Sequence, residues 1–239
     1  MTRIFSGKLD GETAVISGDD ARHIALSLRM RTGENIILCK SGVDYLCELS
    51  EIKPENVVCK VLSSSPCEAE PNIKLHLFQA VPKGEKAEII VQKSVELGVF
   101  DITFMLTERC ISRPDSKSFA KKLNRYNRIA LEAAKQSGRG NVPQVKGLVT
   151  LDEAASAALE CDSAVWCYER GGVSFASLGL RPETEIALLI GSEGGFSEAE
   201  AEKLISAGLK PVGMGKRILR CETAPLAAAS IIMNLTENM

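Results

Sequence analysis

Two glycine-containing stretches near the carboxyl end hold the residues best suited to chemistry. One is Gly191-Ser-Glu-Gly-Gly195, after the apolar run Leu188-Leu-Ile190; the other is Met214-Gly-Lys-Arg-Ile-Leu-Arg-Cys-Glu-Thr223. Each reads as a loop at the end of a strand, where free backbone amides can grip an adenine edge, a ribose or a phosphate. The spacing matches neither a Walker loop nor G-x-G-x-x-G, so pattern alone does not name the ligand. Ser197-Glu-Ala-Glu200 reads as a capping box that opens a helix behind the first loop. Thr223 is placed to cap the last helix, with Pro225 tolerated in its first turn. That helix, through Leu226-Ala-Ala-Ala-Ser-Ile-Ile-Met233, is apolar enough to be buried in a core or an interface.

A second set of residues points to a polyanion. From Arg109 to Lys146 there are ten basic residues (Arg109, Arg113, Lys117, Lys121, Lys122, Arg125, Arg128, Lys135, Arg139 and Lys146) against Asp115 and Glu132, in a chain whose net charge is −2. So skewed a segment in a slightly acidic protein fits a surface that tracks phosphates on one side only. Arg22, Arg29 and Arg31 lie on or just after a short helix, with Arg3 close to the amino terminus. On spacing alone they read equally well as a solvated face or as contacts to RNA phosphates. A helix over 84–98 turns Ala87, Ile90, Val91, Ser94 and Leu97 to one side. Lys86, Gln92, Lys93 and Glu96 are left on its other faces, the pattern of a surface helix. His23 reads as a packed or capping residue.

Composition excludes several classes. Eight cysteines occur without a C-x-x-C pair, and His23 and His76 are the only histidines, so no zinc or other metal site is expected. Scattered thiols of this kind read as small core residues in a reducing cytoplasm. No apolar run approaches the ~20 residues of a membrane span, and the first residues lack the hydrophobic core of a signal peptide.

These residues need a scaffold. Residues 1–71 alternate short apolar runs with turn residues, which predicts a small β-barrel carrying a helix over Asp19–Arg29 with an acidic cap. Ser63-Ser-Ser-Pro-Cys-Glu-Ala-Glu-Pro71 has the composition of a linker. Over 72–239 strands alternate with longer helices, which predicts an α/β domain built on a mostly parallel sheet.

The motifs together resemble the RsmE family, bacterial 16S rRNA (uracil-N3)-methyltransferases of the SPOUT superfamily. The likeness rests on Leu189-Ile-Gly-Ser-Glu-Gly-Gly-Phe-Ser197 and Gly215-Lys-Arg-Ile-Leu-Arg-Cys-Glu-Thr-Ala224, and covers nearly the whole chain. It extends through Arg3-Ile-Phe5, His23-Ile-Ala-Leu-Ser-Leu-Arg29, Gly33, Lys83-Gly84, Gln92-Lys93, Glu96-Leu-Gly98, Thr107-Glu-Arg109, Gln136-Ser137 and Arg139. Ser192 stands where a proline is usual and Cys221 where a threonine is usual.

The resemblance implies a PUA-like RNA-binding barrel over 1–71 and a trefoil-knotted SPOUT domain over 72–239. Periodicity would not have suggested a knot, because knots are nearly absent from folds. It further implies a cytoplasmic homodimer that binds S-adenosylmethionine, works on 16S rRNA or the small ribosomal subunit, and makes 3-methyluridine at position 1498. The cofactor residues it implies are Tyr168, Glu169, Ile190, Gly191, Glu193, Gly194, Gly195, Met214, Gly215, Ile218, Leu219, Arg220, Thr223 and Ala224. RNA contacts fall to Arg3, Arg22, Arg29, Arg31, Lys83, Lys86, Lys93 and Arg113. Uridine N3 carries a proton at neutral pH, so a base or an anion-stabilising cation is needed. The candidates are Arg109, Arg139, Arg220 and Glu222, with Lys93 and Glu96 behind them. A SPOUT enzyme with another rRNA or tRNA target, or a non-enzymatic RNA-binding assembly factor, would share much of this pattern.

Overall fold

The computed structural model describes residues 1–182 and 184–239, which form two compact units. The first comprises residues 1–70 with 134–142, and the second 71–133 with 143–239.

In the first unit a six-stranded sheet runs in the order β1 (Arg3–Ile4), β4 (Asn35–Lys40), β5 (Val43–Ile52), β6 (Asn56–Pro66), β3 (Thr13–Ser17), β2 (Gly7–Asp10). Only β1 and β4 pair in parallel. The β4–β5 hairpin turns through Ser41 and Gly42 at φ 52° and 75°, the left-handed pair that a two-residue hairpin turn requires. Register shifts between β5 and β6 bend the ladder, as bulges do. The curl is tight: a Cβ on Gly7 of β2 would lie 2.3 Å from Leu38 of β4. The result is a curled half-barrel rather than a closed barrel. Its interior takes one face of each strand, with Ala14, Ile16, Ile36, Leu38, Cys47, Leu49, Val57 and Cys59 all buried. Cys47 and Cys59 therefore serve as small apolar residues, as expected.

Two local expectations need correction. The serines at 63–65 are not a linker but the end of β6, paired with Asp44, Tyr45 and Leu46 of β5. That end is exposed throughout, so it carries no apolar alternation to mark it as a strand. The helix after β3 is also shorter than expected. α1 (Asp19–Arg22) passes into a π-helical turn at His23–Ser27, and Gly18, not an acidic side chain, holds the cap position.

The second unit contains a six-stranded all-parallel sheet in the order β12-β10-β11-β7-β8-β9. In chain order the elements are β7 (Lys74–Ala80), α2 (Lys86–Glu96), β8 (Asp101–Leu106), α3 (Ser116–Ser137), β9 (Gln144–Thr150) and α4 (Leu151–Ala158). There follow β10 (Ser163–Cys167), β11 (Glu185–Ile190), α5 (Glu198–Ser206), β12 (Lys210–Val212) and α6 (Ala224–Leu235). β11 is buried from Ile186 to Ile190, which explains its unbroken apolar run. From the edge strand β12 the chain returns across the sheet, and α6 packs on α2 and β7. Ala228, Ala229, Ile232 and Met233 of α6 are buried there. The last residues of α3 cluster with the first unit, where Glu70 gathers the segment after them. Its carboxylate accepts from Arg139 Nε at 2.8 Å, from Gly140 N at 2.8 Å and from Asn141 N at 3.0 Å.

Candidate active site

A cavity of about 450 Å³ opens at the carboxyl ends of β10, β11 and β12, where open α/β sheets hold their ligands. Its walls are Cys167–Glu169, Ile190–Gly195, Met214–Cys221, Ala224 and Lys86. The two glycine loops and the Tyr168-Glu169 strand end thus share one cavity.

Backbone conformation and crowding favour glycine in this turn. Gly195 has φ 65°, and a Cβ there would meet Glu169 Oε1 at 2.8 Å. A Cβ on Gly194 would meet the Arg109 side chain at 2.8 Å, and one on Gly191 would press on Gly195 and Phe196. Phe196 pins the turn from below by packing edge-on against Trp166, ring centroids 5.2 Å apart. Behind the turn the capping box forms as read: Ser197 Oγ accepts from Glu200 N, and Glu200 Oε2 accepts from Ser197 N at 2.9 Å. The other oxygen of Glu200 takes the Glu108 amide at 2.7 Å, which ties the loop after β8 to α5.

The electrostatics centre on Lys86. Its ammonium lies 3.0 Å from Glu193 Oε1 and 3.3 Å from Glu222 Oε2, so one cation joins the two loops. Glu193 also accepts from Lys83 N at 3.0 Å. Burial alone would raise the Glu193 carboxyl, but the hydrogen bonds from Lys86 and the Lys83 amide hold it down at about 2. Glu222 is likewise lowered against its own burial, with help from Cys221 and Lys86. Cys221 goes the other way, to about 12, because burial and the two carboxylates disfavour a thiolate. It is a packing thiol rather than a nucleophile.

The walls fit S-adenosylmethionine. The Ser192 hydroxyl is buried without a hydrogen-bond partner, two loops present backbone amides, and Glu169 offers a carboxylate. The aromatic ring of Tyr168, 4.5 Å from Trp166, adds a flat apolar surface to the lining. Cofactor pockets of this size are common.

Residues 69–233 match the model of an RNA methyltransferase domain, and residues 16–62 that of an RNA methyltransferase PUA domain. Ribosomal RNA small subunit methyltransferase E of Bacillus subtilis is 35% identical over 236 residues, covering 95% of this chain and 92% of that protein. The chain belongs to the RsmE family. Two solved relatives carry S-adenosylmethionine. One is the Neisseria gonorrhoeae ribosomal RNA small subunit methyltransferase E, 31% identical with a TM-score of 0.87 over 99% of this chain and 98% of that one. The other is a Legionella pneumophila protein described as a putative methyltransferase, 31% identical with a TM-score of 0.85 over 98% of each chain.

Within this RsmE chain the cavity gathers thirteen of the expected cofactor residues: Tyr168, Glu169, Ile190, Gly191, Glu193, Gly194, Gly195, Met214, Gly215, Ile218, Leu219, Arg220 and Ala224. Thr223 does not line it. Thr223 stands at the start of α6 with helical backbone angles, and its side chain makes no capping bond, contrary to expectation. Lys216 and Arg217, inside the second loop, also line the cavity; as exposed cations in a loop they carry no local signal of a pocket. Among the catalytic candidates, Arg220 lines the cavity, and Arg109 donates from Nη1 to Gly194 O at 2.9 Å. Glu222 reaches the site through Lys86. Arg139 does not line the cavity. It is buried in the first unit with Nε and Nη2 on Glu70, an ion pair that organises that unit.

The expected RNA contacts divide in the same way. Arg22, Arg29 and Arg31 are exposed on the first unit. Arg3 is largely covered and pairs with Asp44 while donating to Arg139 O, so its role is to hold its own unit together. Lys86 lines the cavity, paired with Glu193 and Glu222. Its two acidic partners come from loops that a helical-wheel reading cannot see. Lys93 pairs with Glu96 at 2.9 Å on the same helix. Arg113 folds back to donate to Thr107 O at 2.7 Å, and the Lys83 side chain is exposed.

Proposed function

We propose that this chain transfers a methyl group from S-adenosylmethionine to N3 of a uridine in small-subunit ribosomal RNA, giving 3-methyluridine at the position the family modifies. The observation that carries the reading is the meeting of both glycine loops and Tyr168-Glu169 around one cavity, in a chain 35% identical to an RsmE protein. Bound there, the cofactor supplies an electrophilic methyl on a sulfonium centre. The protein's own part is to orient the two reactants and to favour loss of the N3 proton. The backbone of the two loops, Gly191–Gly195 and Met214–Cys221, holds the donor. Arg220, exposed at the mouth, and Arg109, braced on Gly194, present positive charge toward the base and stabilise its anion. Hydrogen bonds from its own backbone, Cys221 and Lys86 lower the basicity of Glu222, so stabilisation of the N3 anion by the arginines carries more of the step than proton abstraction by Glu222.

Exposed Arg22, Arg29 and Arg31 on the first unit, and separately the exposed basic residues between Lys117 and Arg128 on the second, serve as RNA contacts. The chain works in the cytoplasm, where the ribosome and its own unpaired thiols are at home. No helix among the described residues is long and apolar enough to cross a membrane. It works as a homodimer that covers apolar surface such as Ile218, which is 86% exposed. Light scattering at micromolar concentration should give twice the mass of one chain. Incubation with methyl-labelled S-adenosylmethionine and unmodified small subunits tests the activity. Label in 3-methyluridine supports the proposal, whereas label in another nucleoside favours a SPOUT enzyme with a different target. Absence of both transfer and cofactor binding favours an assembly factor.

A further inference from the structure

A second cavity, of about 420 Å³, lies toward the amino ends of β7, β8 and β11, away from the strand ends that hold Glu169 and Glu193. Three donor side chains from three elements meet in its wall. They are His76 on β7, Glu185 at the start of β11, and Cys161 in the turn between α4 and β10, with ligating atoms within 4.8 Å of one another.

The histidine is already oriented. Its Nδ1 lies 3.0 Å from Asp101 Oδ1, and the other oxygen of Asp101 takes Lys146 at 2.7 Å. A proton held on Nδ1 by that carboxylate leaves Nε2 with the lone pair, the arrangement found behind metal-binding histidines. Nε2 is buried and has no hydrogen-bond partner, an unfavourable state for a ring nitrogen. Glu185 Oε2 stands 3.5 Å from it, a spacing that a cation between the two, or a second proton on the ring, would satisfy. The other oxygen of Glu185 is held by Lys74 at 2.5 Å, which leaves Oε2 as the one turned toward His76.

We propose that His76 Nε2, Cys161 Sγ and Glu185 Oε2 bind a zinc ion, with the cavity leaving a fourth position to water. One nitrogen, one thiolate and one carboxylate oxygen suit zinc better than calcium or magnesium. Bonds of about 2.0–2.3 Å would bring the donors to roughly 3.5 Å from one another. Cys161 and Glu185 are both partly exposed and can close that gap by side-chain rotation. On binding, the Cys161 thiol releases its proton to solvent and a sulfur–zinc bond forms, with no change of oxidation state. The ion would join β7, β11 and the turn leading into β10, the strands whose far ends carry the first cavity. No short motif announces it, because the ligands sit at 76, 161 and 185 and only the parallel sheet brings them together.

The test uses the untagged full chain, stripped with chelator and dialysed against micromolar zinc, with metal counted by mass spectrometry. The expected result is one zinc per chain and a thermal transition that moves up with zinc. Both should be lost in Cys161→Ser and in Glu185→Gln. Cobalt in place of zinc should give a thiolate-to-cobalt charge-transfer band in the parent protein and none in Cys161→Ser. If Cys161→Ser loses its circular dichroism spectrum, the same readings on Glu185→Gln decide. Failure of the parent chain to retain zinc overturns the proposal. So does full retention in a folded variant, which would place the ion on other thiols.

Discussion

Gly195 is where a single side chain would do most damage to the cofactor loops. Its φ of 65° disfavours any L residue, and a Cβ would meet the Glu169 carboxylate. Gly195→Val should therefore weaken S-adenosylmethionine binding by roughly 10- to 100-fold in calorimetry, while the far-ultraviolet spectrum stays native. Glu193 gives a pH prediction with a definite sign. Its carboxyl falls from 4.5 to about 2 in the fold, so the ion pair with Lys86 contributes in full above about pH 4.5 and is lost as pH falls toward 2. Thermal scans from pH 6 to 2 should show a loss of stability in that window that is smaller in Glu193→Gln. Equal acid sensitivity in both would contradict it. The glycine loops were legible in sequence because the need for glycine is local. Lys86 was not, because its partner Glu193 lies 107 residues away.

At the scale of elements, strands and helices followed from periodicity, and the capping box at Ser197 and Glu200 formed as its spacing dictated. The end of β6 did not, since three exposed serines and a proline carry no alternation. Thr223 shows a related limit: a residue type suited to capping still needs extended backbone angles, and here they are helical. Arg139 lies in a basic segment, yet it is 2% exposed and paired with Glu70. Neutralising Glu70 removes its ion pair with Arg139 and weakens its bonds to the Gly140 and Asn141 amides, a loss of about 1–3 kcal/mol. Glu70→Gln should accordingly lower the urea midpoint substantially, and a midpoint unchanged from the parent would show the pair to be dispensable.

At the scale of the molecule, net charge said little and distribution said more. A chain at −2 still concentrates ten basic residues against two acidic ones between Arg109 and Lys146. If the exposed arginines of the first unit touch phosphates, the triple variant Arg22→Ala, Arg29→Ala, Arg31→Ala should bind rRNA more weakly. It should also show a shallower salt dependence, by about one unit of log–log slope for each phosphate no longer neutralised, with cofactor affinity intact. An unchanged slope in filter binding would assign these residues to a merely solvated face. What no pattern supplies at this scale is chain path, since the return of α6 from the edge strand to β7 depends on packing across the whole sheet. The central claim is the reaction itself, and nucleoside mass spectrometry of small-subunit rRNA from cells lacking this protein tests it most directly. 3-Methyluridine should disappear, and should return when the purified chain and S-adenosylmethionine are added to those subunits. Undiminished 3-methyluridine in the deletion strain would contradict it.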